Sequence, residues 1–272
     1  MKSSTPLKDH VIIYDDECPL CNAYTGAFVK MKFLDQNGRL PYVHIDQLPA
    51  DQLDRKRAVN EIPLLNIKTG QVTYGVDSLL KVLGNKWQVF HYVPKVPLLN
   101  TSVRKLYSFI SYNRKVIVPG KSNYTSCIPA FSMKYRLLYL LFCSLLVATS
   151  LYFFNRNLSD LVAGQSFGVE FLFATGQIFF QSIFLINKDK VTIYNYLGNL
   201  MTVSLMGALA LIPVILISYL IVIDPLILLI YFLSVAGLMF IEHFRRVKLL
   251  GLSTLLCATW VAYRLLLLLL IL

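Results

Sequence analysis

The chain has 272 residues, enough for one or two domains, with a formal net charge of +11 and 56 % hydrophobic residues. That hydrophobic share exceeds the roughly 45–50 % of soluble globular proteins and argues against a wholly water-soluble molecule. Charge is uneven: residues 1–134 hold 18 of the 26 Lys and Arg and 10 of the 15 Asp and Glu, so the front looks water-compatible and the back lipid-compatible. Five cysteines are present, an odd number, and only Cys18 and Cys21 are close in sequence, which excludes a secreted disulfide framework. The polar start, Met1 to His10, contains no apolar core of a cleavable signal, so none is expected.

In chain order, the first predicted element is a buried strand over His10-Val-Ile-Ile-Tyr14, a short apolar and β-branched run. Cys18-Pro19-Leu20-Cys21 follows, then an apolar-periodic stretch through Phe33 with Ala23, Ala27, Phe28 and Met31 at helical spacing. Pro19 suits the first turn of a helix. The pair is therefore expected where a strand hands over to a helix N-terminus. The free N–H groups and dipole there favour an anion and lower a thiol's pKa. Cys18 precedes the helix and is expected to be the more exposed sulfur and the nucleophile. Cys21, one turn on, is expected to attack a mixed disulfide at Cys18 and release the substrate. The acidic trio Asp15-Asp16-Glu17 opposes a thiolate, which leaves the net pKa open.

Leu40 to Ile45 reads as a second strand and Gln47 to Val59 as a charged helix. Leu64–Ile67 and Gln71–Tyr74 form a hairpin about Lys68-Thr69-Gly70. Val76 to Leu83 reads as a helix stopped by Gly84. This order is that of the thioredoxin fold. The segment resembles the DCC family of thiol-disulfide oxidoreductases: Asp15, Cys18 and Cys21 match its Asp-x-x-Cys-x-x-Cys signature, and Tyr74-Gly75-Val76-Asp77-Ser78-Leu79-Leu80 is similar to its strand-to-helix segment. The resemblance covers about the first 90 residues and departs at Asp16, where members often carry Gly. It implies an α/β thioredoxin-like redox domain over residues 1–95 and no cofactor. It also implies a cis-proline facing the pair, a place that Pro63 occupies 42 residues after Cys21. Half a zinc site is the rival reading of Cys-x-x-Cys. It needs a second ligand pair, and His10, His44 and His91 are scattered singly, so no metal is expected. A purely structural relic is the other rival.

Residues 96–133 read as a basic juxtamembrane linker. No acidic residue lies between Asp77 and Asp160, while Lys95, Arg104, Lys105, Arg114, Lys115 and Lys121 do. Such a run is attracted to anionic lipid headgroups, at roughly 1 kcal/mol per cation near the surface. Nucleic acid is not expected as a partner, because no recognised motif accompanies the charge. Interleaved Trp87, Phe90, Tyr92, Tyr107, Phe109 and Tyr112 suit either the membrane interface or packing against the redox domain.

Residues 134–272 read as an all-α, multi-pass transmembrane domain of about five spans: Tyr135–Phe154, Phe167–Ile186, Leu197–Ile223, Pro225–Phe244 and Leu249–Leu270. Asp224-Pro225 splits the long third and fourth run. Lys188 and Lys190, then Arg245, Arg246 and Lys248, make alternate loops basic. This predicts a cytoplasmic redox domain and an outside C-terminus. Glu170, Gln177, Gln181, Glu242, His243 and Arg264 are polar residues within or near the spans and hence candidates for function. The leading expectation is a membrane-anchored thiol–disulfide oxidoreductase acting on a thiol or disulfide protein substrate with an unidentified electron donor. The alternatives are a redox-sensing module that regulates the membrane half, and a small transporter-like protein with an accessory soluble domain.

Overall fold

The computed structural model describes residues 5–48, 53–120, 127, 129–158 and 166–271, and divides into two compact units, Met1–Tyr135 and Arg136–Leu272.

In the first unit, β1 (His10–Tyr14), α1 (Pro19–Lys30), β2 (Arg39–Pro41), α2 (Arg55–Ala58), β3 (Pro63–Asn66), β4 (Val72–Tyr74) and α3 (Val76–Gly84) build the thioredoxin-like α/β fold. The sheet order is β2-β1-β3-β4. β1 is central and all five of its residues are buried, as an uninterrupted apolar run requires. It pairs parallel with β2, setting Ile13 beside Leu40, and antiparallel with β3, setting Val11 beside Leu65. β3 and β4 form the expected hairpin, with Leu64 opposite Thr73.

Two elements are shorter than their sequence suggests. The second strand stops at Pro41, which has no N–H to continue a ladder. Tyr42–Gln47 then winds as a 3-10 helix, sending Tyr42 and Ile45 into one core cluster from positions three apart. The expected helix over Gln47–Val59 is reduced to Arg55–Ala58, started by Asp54, whose carboxylate accepts from Arg57 N–H at 3.0 Å. Residues 49–52 lie outside the described residues.

The expected cis-proline is not found. Among the described residues no peptide bond is cis, and Ile62–Pro63 is trans. The hairpin explains this. Ile62 C=O accepts from Gly75 N–H at 2.9 Å and Pro63 pairs with Tyr74, so the ladder runs extended across the bond. Gly75 has φ +61°, and a Cβ there would stand 3.2 Å from Glu61 Oε2.

The basic linker holds regular structure. Its first half and a little more is a 21-residue helix, α4 (Pro97–Ile117), within the same unit as the sheet. Three of its cations pair with acids of that unit: Arg104 with Asp77 at 2.6 Å, Arg114 with Asp15 at 3.2 Å and Lys115 with Glu17 at 4.0 Å. These three cations are paired within the first unit. Tyr107 packs against the core cluster that contains both cysteines.

The second unit is helical: α5 (Met133–Asn155, which begins just before it), α6 (Phe167–Ile183), α7 (Lys190–Ser218), α8 (Pro225–Leu249) and α9 (Leu255–Ile271). These occupy the five expected segments. Among the described residues, three stretches are long and apolar enough to cross a membrane: Met133–Leu158, Lys190–Ser218 and Pro225–Leu249. α6 and α9 have 17 residues each, below the roughly 20 that a span needs. α7 starts seven residues before the apolar run because Asp189 caps it, accepting from Thr192 N–H at 3.0 Å. Asp224 caps α8 ahead of Pro225, the break the sequence suggested.

Candidate redox site

Strand β1 delivers Tyr14 and the buried Asp15 to the edge of the site, and the chain turns there because Cys18 N–H donates to Asp15 C=O at 3.2 Å. Cys18 is the N-cap of α1, with an extended backbone and Pro19 in the first turn. Its sulfur accepts from the Cys21 backbone N–H at 3.4 Å, the place an oxygen takes in an ordinary cap. Cys21 sits inside the helix, and Thr25 Oγ1 donates to its carbonyl at 2.7 Å, holding the first turn. Both cysteines are free thiols.

Neither sulfur is open to bulk solvent. Cys18 is 1 % exposed and Cys21 6 %, so the expectation that Cys18 is the more exposed is reversed. The chain beyond α4 explains the cover: a Cβ on Gly120 would stand 2.2 Å from Glu17 C=O and 3.0 Å from Pro19 Cδ. Only a residue without a side chain lets that backbone cross so close to the one preceding Cys18.

Arg114 of α4 completes the site. Its Nη2 donates to Asp15 Oδ2 at 3.2 Å and to Val59 C=O at 3.0 Å, its Nη1 to Ser111 Oγ at 3.3 Å, and Cys127 Sγ lies 3.9 Å from Nη2. Ser111 in turn donates to Asn60 C=O at 2.6 Å. One turn back, Tyr107 OH accepts from Ile62 N–H at 2.9 Å and so fixes the strand entry before Pro63. Asp15 Oδ1 and Arg114 Nε have no hydrogen-bond partner among the described residues. Both residues, with Cys21, Cys127, Tyr24 and Tyr107, line a cavity of about 310 Å³.

The site residues therefore come from β1, α1 and α4, and a description that ends at residue 95 omits one of its charged members. The family comparison draws the same extent. Residues 12–118 match the model of the DCC1-like thiol-disulfide oxidoreductases. Comparisons with curated proteins and with solved structures give no match. The DCC1-like domain thus includes α4 to its last residue.

The electrostatics divide the two thiols of this domain. Cys18 is lowered to about 7, mainly by its hydrogen bond with the Cys21 thiol; burial opposes this, while the Cys21 backbone N–H and Arg114 add to it and Asp15 works against it. Cys21 is raised, first by the same hydrogen bond, which needs its proton, then by burial and by the charge on Cys18. Burial pushes Cys127 up to about 12. Burial also pushes Tyr107 up to about 12, so it stays a neutral phenol. The arrangement holds one thiol ready to ionise near neutral pH and keeps its neighbour protonated, the division of labour that dithiol exchange needs.

Of the residues singled out in the sequence, Asp15, Cys18 and Cys21 come together at this site. Pro63 is buried at the start of β3 between Ile62 and Leu64, which share a core cluster with both cysteines. Arg114, Tyr107 and Cys127 were missed as site members. Arg114 offered one signal: it is a cation in a helix-compatible run following a domain that places a buried carboxylate directly before its motif.

Proposed function

We propose that the chain is a membrane-anchored thiol–disulfide oxidoreductase whose Cys18 thiolate attacks a disulfide of a protein substrate. The Cys18–substrate bond forms, the substrate disulfide breaks and one substrate thiolate leaves. Cys21 then passes its proton to the released substrate thiolate and attacks Cys18 Sγ. The Cys18–Cys21 disulfide forms, the second substrate thiolate leaves, and the domain has been oxidised by two electrons while its substrate is reduced. A thiol donor must return those electrons. The observation that carries this reading is Cys18 at the α1 N-cap, accepting from Cys21 N–H with the Arg114–Asp15 pair beside it. Asp15 and Arg114 are positioning residues, and Pro63 shapes the strand entry.

The helical unit anchors the domain by the three long apolar helices, and α6 and α9 complete five crossings when flanking residues are counted. The alternation of basic loops supports a cytoplasmic redox domain. A redox-sensing role is the second reading, and the burial of both sulfurs favours it, because a switch needs fewer encounters than a turnover enzyme.

The deciding experiment is trapping in intact cells with Cys21→Ser, which cannot resolve its mixed disulfide. Expected are protein adducts that dithiothreitol releases and that Cys18→Ser abolishes. Adducts that persist in Cys18→Ser, or turnover of a model disulfide that Cys18→Ser leaves intact, would overturn the assignment.

A further inference from the structure

The helical unit contains a second cavity, of about 640 Å³, within the usual range of roughly 300–1,000 Å³ for a small-ligand site. Its walls are mostly apolar, with Leu151, Leu211 and Phe232 among them, and its polar groups gather at two places. At one, Glu170 is 1 % exposed and accepts from Asn155 Nδ2 at 2.6 Å, a satisfied pair. At the other, Arg264 Nη2 donates to Gln177 Oε1 at 2.8 Å and to Ser204 Oγ at 3.5 Å, with the guanidinium 5.0 Å from the Trp260 ring centre. Gln177 lies seven residues after Glu170 on α6, two turns along the same face and about 10 Å away at the helical rise.

The second group is unfinished. Gln177 is 2 % exposed, and neither its Nε2 nor Arg264 Nε has an acceptor among the described residues. Arg245 and Arg246 both pair with Glu242, whereas Arg264 has no carboxylate partner among the described residues and bonds only neutral groups. Two unanswered donors and an uncompensated cation in an apolar cavity are costly unless an anionic oxygen group joins them. Glu170 is already paired with Asn155, so the acid head belongs at Arg264 and its apolar part must lie along the walls.

We propose that this cavity binds a single-chain amphiphile with a carboxylate head, seated between the Arg264 guanidinium and the Gln177 side-chain amide. The class is that of a free fatty acid. The site is separate from the thiol chemistry.

Trp260 lines the cavity, and Trp87 is the only other tryptophan, so the full chain carrying Trp87→Phe reports on the cavity alone. Purified in a neutral detergent, it is titrated with a dibrominated stearate, whose bromines quench indole. Saturable quenching is expected. Gln177→Leu and Arg264→Gln should weaken it about tenfold or more, the loss that removing one charge-assisted hydrogen bond brings. The methyl ester, which keeps the chain and loses the charge, should not saturate. Gln177→Glu guards against variants that fail to fold. It supplies the missing carboxylate to Arg264, so it should raise the thermal midpoint of the helical unit while abolishing the saturable phase. Equal quenching by the ester, wild-type quenching in Gln177→Glu, or displacement by phosphatidylglycerol but not by oleate would overturn the proposal.

Discussion

Replacing Arg114 with Met tests whether α4 belongs to the redox domain. The guanidinium is 8 % exposed and the Asp15 carboxylate 3 %. Its removal strands a buried charge and also leaves Val59 C=O and Ser111 Oγ without their donor. Breaking a buried pair from one side costs about 3–5 kcal/mol. For a unit of this size that corresponds to a fall in thermal midpoint on the order of 10–20 °C. The assay is thermal unfolding of the full chain in detergent, in a Trp260→Phe background so that Trp87 alone reports on the first unit. The double variant Asp15→Asn/Arg114→Met removes both charges and should recover more than half of the loss, since an apolar or neutral replacement of a buried pair is often near neutral. A fall of under about 2 °C for Arg114→Met, as an exposed pair would give, or a double variant no better than the single, would refute the reasoning.

The same two residues act on the thiol with opposite sign. Alkylation of Cys18 by a small reagent follows the thiolate, so its rate should rise with pH through a midpoint near 7 and then level. Arg114→Met should move that midpoint up and Asp15→Asn should move it down, both read by mass spectrometry of the labelled peptide. A midpoint at the ordinary thiol value in the wild type, or shifts of the same sign, would count against the site described. Tyr107→Phe leaves Ile62 N–H without its acceptor and should cost about 1–3 kcal/mol. It should also speed hydrogen exchange at Ile62 and Gly75. Unchanged exchange at both would show that the contact does not hold the strand.

The parts legible in the sequence were those written in short-range signals. β1 announced itself as an apolar run, α1 by Pro19 and helical spacing, the hairpin by Lys68-Thr69-Gly70 and α8 by Asp224-Pro225. The cysteine pair carried its own spacing, and Asp15, Cys18 and Cys21 stand together as that spacing implies. What the sequence hid depends on contacts made across long stretches of chain. Arg114 looks like any other cation in a basic run until it is found against Asp15, 99 residues away. The excess positive charge between Asp77 and Asp160 gave no sign that Arg104, Arg114 and Lys115 are paired, because composition cannot tell a paired cation from a solvated one. Exposure of Cys18 was misjudged for a related reason. A helix N-terminus is open in isolation, but Gly120 brings a distant backbone across it. The lengths of α6 and α9 were overestimated because hydropathy runs past helix ends into turns such as Phe184–Ile186.

The separation of Asp15 from Arg114 also sets an order of events at the ribosome. At about 5–20 residues per second, the carboxylate is made roughly 5–20 s before its guanidinium. During that interval β1, α1 and the hairpin can assemble, but Asp15 stays hydrated and both thiols stay accessible to whatever oxidant or foreign cysteine is near. The domain can close over its sulfurs only once α4 has emerged, and α5, the first helix apolar enough to enter a bilayer, begins just 16 residues after Ile117. Closure of the domain over its thiols and the emergence of α5 therefore fall in the same brief window of synthesis.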